Sequence, residues 1–62
     1  MNKRGIVLIL EDREQIKNNY FIFLEMMFSK VLTTYDFKEA TSMYLHYKPD
    51  VILIGNGAKR NE

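Results

Sequence analysis

The chain has 62 residues, no cysteine, one histidine, and nine Lys and Arg against eight Asp and Glu, for a net charge of +1. A chain this short is at most one domain and buries only about 60% of its unfolded surface, so it folds marginally without help. Disulfides and thiolate metal sites are excluded, and the lone His46 does not make a closed metal cage. The near-neutral, scattered charge supplies no strong field for nucleic acid or an anionic membrane. The help that remains is self-association or a protein partner. No run approaches the ~20 apolar residues of a membrane span. Glu11 and Asp12 also interrupt the first apolar run too early for a secretory signal. The expectation is a soluble, cytoplasmic protein whose partners include no nucleic acid, membrane or small-molecule substrate.

Gly5 to Asp12, GIVLILED, comes first: the apolar run Ile6 to Leu10, closed by two acids. A run so short and so rich in β-branched residues predicts a strand over about 5–10, buried on both faces. Glu11 and Asp12 then fall just past its carboxyl end, where open α/β sheets place their chemistry. Arg13 to Phe28 follows, with Ile16, Tyr20, Phe23, Leu24 and Met27 at helical spacing. This predicts a helix over about 13–28, with Asp12 as its cap. Phe21 and Phe28 broaden the apolar stripe while Ile22 and Met26 fall near the opposite face. A helix covering one small sheet needs one apolar face, so this one is expected to have a second surface to bury.

Ser29 to Thr34 predicts a short strand over about 30–34. Asp36 and Glu39 stand at the spacing of a capping box, opening a helix over about 36–47 that Lys48-Pro49 stops. Phe37, Ala40, Thr41, Tyr44 and Tyr47 make its inward face. His46 falls on the polar side, near the helix end whose dipole a cation complements. Asp50 to Ile54 is a further apolar strand, left through Gly55-Asn56-Gly57, which reads as a flexible exit and not as a phosphate-binding loop because no helix follows it. Ala58 to Glu62 is a polar tail. The order is β-α-β-α-β over a single domain, 1–62, and helical crossovers imply a parallel sheet.

Three pieces together resemble the first half of a response-regulator receiver domain, the phosphoacceptor module of two-component signalling. Ile6 to Asp12 looks like the family's first strand with its acidic pair. Asp36 to Ala40 resembles the opening of its second helix, with Phe37 where a glycine is common. Lys48 to Ile54, KPDVILI, is similar to the segment entering its third strand, and is the most specific piece. The resemblance implies a flavodoxin-like fold with strand order 2-1-3. It also implies phosphoryl transfer to an aspartate after the third strand, assisted by a divalent metal on the acidic pair. That position is Gly55, which has no side chain to phosphorylate. Asp50 lies at the wrong end of the same strand, and Asn56 carries an amide.

No counterpart of the family's fourth and fifth strands follows within the chain. The expectation is therefore a non-phosphorylatable pseudo-receiver fragment, not an enzyme, with at most a weak, vestigial Mg²⁺ site at Glu11 and Asp12. Its third strand, Val51, Ile52, Leu53 and Ile54, becomes an unguarded sheet edge that invites pairing. A two-fold homodimer through that strand, joined by Phe21, Ile22, Met26 and Phe28 of the first helix, or a different signalling protein adding a strand, answers the need. The alternatives are a receiver-type phosphoacceptor and a gene remnant or excised fragment without independent function.

Overall fold

The computed structural model describes residues 4–55. It is an α/β arrangement: β1 (Arg4–Leu10), α1 (Glu14–Leu24), β2 (Phe28–Thr34), α2 (Phe37–Tyr47) and β3 (Val51–Ile54). The three strands form one parallel sheet in the order β2-β1-β3. As the apolar run and its position predict, β1 is the central strand. Val7, Leu8, Ile9 and Leu10 are almost completely buried.

Register determines which residues share a face. Leu8 pairs with Leu32 of β2 and Ile52 of β3, while Val7 pairs with Val31 and Val51. Leu8, Leu10 and Leu32 pack with Ala40 of α2 into the core, with Ile6 and Met43 beside them. Val7 and Ile9 point to the other face because side chains alternate along a strand. Right-handed crossovers that run in opposite directions along the sheet, from β1 to β2 and from β2 back past β1 to β3, put α1 over that second face.

α2 forms where the sequence places it. Asp36 caps it, its carboxylate accepting from the Glu39 N–H at 3.0 Å. The reciprocal half of the box is absent: the Thr34 hydroxyl donates to the Glu39 carboxylate, and the Asp36 N–H donates to Thr34 Oγ1 at 3.2 Å. Lys48 ends the helix in the left-handed region at φ 50°, its N–H donating to the Tyr44 carbonyl. Pro49 then prevents continuation.

α1 departs from the expected bounds. It stops at Leu24, residues 25–27 turn, and β2 begins at Phe28 opposite Arg4. The Arg4 N–H donates to the Met27 carbonyl at 2.8 Å, so the chain is already entering the sheet there. Nor does Asp12 cap the helix: Arg13 is the N-cap and makes no side-chain cap bond. The physical reason is that Arg13 is itself extended (φ −86°, ψ 108°), so the helix starts at Glu14 and Asp12 lies one residue ahead of the cap position. The Arg13 N–H donates to Glu11 at 2.9 Å. Neither helix is long and apolar enough to cross a membrane.

β3 is short and pinned at both ends to β1. At its entry the Asp50 N–H donates to the Ile6 carbonyl and the Ile6 N–H donates back to Asp50 Oδ2, each at 2.8 Å. At its exit the Gly55 N–H donates to the Leu10 carbonyl at 2.8 Å. Gly5 makes the entry clamp feasible, since a Cβ there would fall 1.8 Å from Asp50 Oδ2.

Candidate functional site: the β3 surface and the acidic corner

Two places carry functional interest. The first is β3 itself. No Cα of α1 or α2 lies within 8 Å of a β3 Cα, so neither helix roofs the strand. Val51 and Ile52 are each 43% exposed and Ile54 60%, on a strand with no polar side chain. Among the described residues nothing pairs with its outer edge.

The helix flanks beside β3 are apolar as well. One flank of α2 faces β2: Lys30 Nζ lies 5.7 Å from the Tyr47 ring centre, and Glu39 accepts from Thr34. At 3.6 residues per turn Leu45 points outward, away from the sheet, while the opposite flank carries Phe37 and Tyr44, both exposed, on the β3 side. They border the sheet face that bears Ile52 and Ile54, because those residues pair with Leu8 and Leu10. On α1, Phe21 faces β2, where it lines an open hollow of about 260 Å³ with Glu25, Phe28, Ser29, Lys30 and Val31. Phe23, half a turn away, is exposed on the β3 side.

This geometry separates residues that the sequence reading grouped together. Phe28 is buried in β2 and is not an open interface residue. Phe21 is half-buried beside it, at the sheet edge opposite β3. Ile22 and Met26 are exposed, one on the outward face of α1 and the other in the turn into β2. Val51, Ile52, Leu53 and Ile54 do form one strand, joined by the α2 flank that sequence reasoning assigned to the core. The two edges also differ in character, since Lys30 sits within β2 and β3 carries no charge. A lysine in an edge strand discourages strand addition, so β3 is the unguarded edge.

The second place is the corner past the carboxyl ends of β1 and β3, where the parallel register puts Glu11 beside Gly55. Glu11 is fully buried. Its carboxylate turns across the strand end, where a Cβ on Gly55 would fall 1.6 Å from Oε1 and 2.6 Å from Cδ. Glu11 Oε2 accepts from the Arg13 N–H at 2.9 Å and from Arg13 Nε at 2.8 Å, and Oε1 accepts from an Arg13 terminal nitrogen at 3.3 Å. The Arg13 side-chain bond, then its backbone N–H, hold the Glu11 carboxyl below its ordinary value, while burial pushes the other way. Glu11 in turn raises the Arg13 pKa. Asp12 Oδ1 is buried without a hydrogen-bond partner among the described residues.

The corner does not present Glu11 and Asp12 as a ligand pair for Mg²⁺. Both Glu11 oxygens face a guanidinium, and among the described residues no three His, Cys, Asp or Glu converge on one point. Gly55 offers no side-chain oxygen, and a side chain there collides with Glu11. Asp50 is committed to the β1–β3 clamp at the far end of the strand. His46 is exposed and meets Tyr47 edge to face at 4.7 Å. Asn56 and Gly57 of the glycine-flanked exit, and the polar tail beyond, lie outside the described residues. Compared with protein-family models, curated proteins and solved structures, the chain matches none.

Proposed function

We propose that this chain is a protein-interaction module, a pseudo-receiver that accepts no phosphoryl group and pairs with a second copy through β3. The observation that carries the reading is β3: apolar throughout and, among the described residues, unpaired on one side and roofed on neither face. An exposed strand of this kind is a template for strand addition. Two copies related by a two-fold axis would pair β3 antiparallel and extend the sheet to 2-1-3-3-1-2. The same patch is then buried on both copies, which closes the assembly at two. The blunted β2 edge favours that closed form over an open stack of sheets.

A four-residue strand edge alone is small beside the roughly 1,000 Å² a stable interface needs. The flanking Phe37, Tyr44 and Phe23 supply further apolar area, and aromatic side chains dominate such energetics. Absence of phosphate acceptance rests on Gly55, whose missing side chain is replaced in space by the Glu11 carboxylate.

The test is molar mass by light scattering over a dilution series, for the wild-type chain and Ile54→Lys. The wild type should run as a dimer that dissociates on dilution. Ile54→Lys should be a folded monomer, since that side chain is already open to solvent in one copy. A wild type that is monomeric and folded at every concentration overturns pairing with a second copy. Incubation with Mg²⁺ and a small phosphodonor should add no mass, and a phosphoryl adduct would overturn the pseudo-receiver reading.

A further inference from the structure

The acidic corner holds a cation of its own. Glu11 and Asp12 put two negative charges at one strand end, and a buried carboxylate is tolerated only when paired and hydrogen-bonded. Arg13 supplies this from the adjoining position, with its backbone N–H and two guanidinium nitrogens all directed at Glu11. Gly55 supplies the room, because a Cβ there would fall 1.6 Å from Glu11 Oε1 and displace the carboxylate from this position. We infer that Arg13 is the resident counter-ion of this corner, occupying Glu11 in place of a divalent cation, and that the corner becomes a cation site only when Arg13 is removed. The inference does not depend on how the chain associates.

The charge count gives the direction. With Arg13 in place the three side chains carry a net single negative charge, and without it a double one. A hard divalent ion takes carboxylate oxygens and keeps several waters. Arg13 leaves it only Asp12, whose buried Oδ1 already lacks a partner and gains nothing from the guanidinium's bonds. Removing Arg13 frees two Glu11 oxygens, one residue along the chain from that unpartnered one. A unit of positive charge withdrawn at this range raises divalent affinity on the order of tenfold or more.

The experiment is a Mn²⁺ titration followed by paramagnetic broadening of backbone amide resonances in the full chain. In the wild type, the amides of Glu11, Asp12 and Gly55 should broaden no earlier than those near solvent-exposed carboxylates such as Glu14. Arg13→Gln should broaden these three selectively, at a Mn²⁺ concentration about tenfold lower or less. Arg13→Lys, which keeps the charge, should resemble the wild type, and Glu11→Gln added to Arg13→Gln should abolish the selectivity. Selective broadening in the wild type overturns the inference, as does a folded Arg13→Gln that shows none. Should Arg13→Gln fail to fold, the wild-type Arg13 Hε decides. A slowly exchanging Hε that Mn²⁺ leaves unmoved supports the resident counter-ion, and a freely exchanging one refutes it.

Discussion

The clamp at the entry of β3 can be tested by a cycle of two substitutions whose signs differ by background. Asp50 Oδ2 accepts from the Ile6 N–H at 2.8 Å, and this side chain is open to solvent. Removing it with Asp50→Ala should cost about 1 kcal/mol, below the range for sheltered charged acceptors. For a chain of this size that is a fall of roughly 4–8 °C in Tm. Gly5→Ala places a Cβ where the carboxylate lies, 1.8 Å from Oδ2, so the carboxylate must swing away and the same bond is lost. Against that loss, alanine restricts the unfolded chain and returns about 0.4–1 kcal/mol. No glycine among the described residues has positive φ, so the backbone at Gly5 accepts alanine without strain.

Gly5→Ala alone should therefore be near neutral or slightly destabilising. In the Asp50→Ala background the same change should stabilise by about 0.4–1 kcal/mol. The coupling, about 1 kcal/mol, is read from urea unfolding by circular dichroism at one fixed protein concentration. Additivity within about 0.3 kcal/mol would refute the clamp.

Three further outcomes follow from separate features. Glu11 has a folded pKa below its ordinary value of 4.5. Its contribution to stability is therefore present above that value and lost as pH falls through the lower, folded one. The wild type should lose stability more steeply than Glu11→Gln on acidification below about 4.5, and parallel profiles would contradict the Arg13 pairing. Lys48→Gly relieves a left-handed residue at φ 50°. That conformation costs a side chain about 1–2 kcal/mol, part of which glycine returns through its looser unfolded state, so Tm should rise. Asp36→Ala removes the α2 cap and should cost about 1 kcal/mol by denaturant unfolding.

What the sequence disclosed, and what it withheld, follows from how each feature is encoded. β1 and β3 are unbroken apolar runs, and α2 has a cap at one end and proline at the other, so local chemistry states all three. The end of α1 has no such mark. In FIFLEMMF helical periodicity runs on without glycine or proline, while the ladder beginning at Arg4 and Phe28 draws the last residue into a strand. That pairing spans the sequence and leaves no local trace. Misplacing Phe28 then joined surfaces that belong to opposite sheet edges.

The acidic corner was legible in part. Parallel order 2-1-3 with Leu10 opposite Ile54 sets Glu11 beside Gly55, and the missing acceptor at Gly55 is plain from the sequence. That Glu11 fills the glycine's empty space, and that Arg13 folds back on it, depends on side-chain torsions that no spacing rule conveys. Asp50 illustrates the same limit. Its distance from the corner follows from counting residues, but its bond to the Ile6 amide depends on register and on the lack of a Cβ at Gly5.

The clamped attachment of β3 also bears on how the native molecule breathes. β2 and α1 can remain folded on β1 while β3 lifts, because no helix backbone packs against β3 and only one ladder with its end bonds holds it. Local openings of this kind set the hydrogen-exchange rates of individual amides. The amides of Val51 to Ile54 should therefore exchange with the least protection of any strand in a lone copy, and they should slow when a second copy covers them. The strand proposed for pairing is thus also the one whose detachment costs the rest of the fold least, and under that proposal its exchange rate becomes a gauge of how much of the protein is paired.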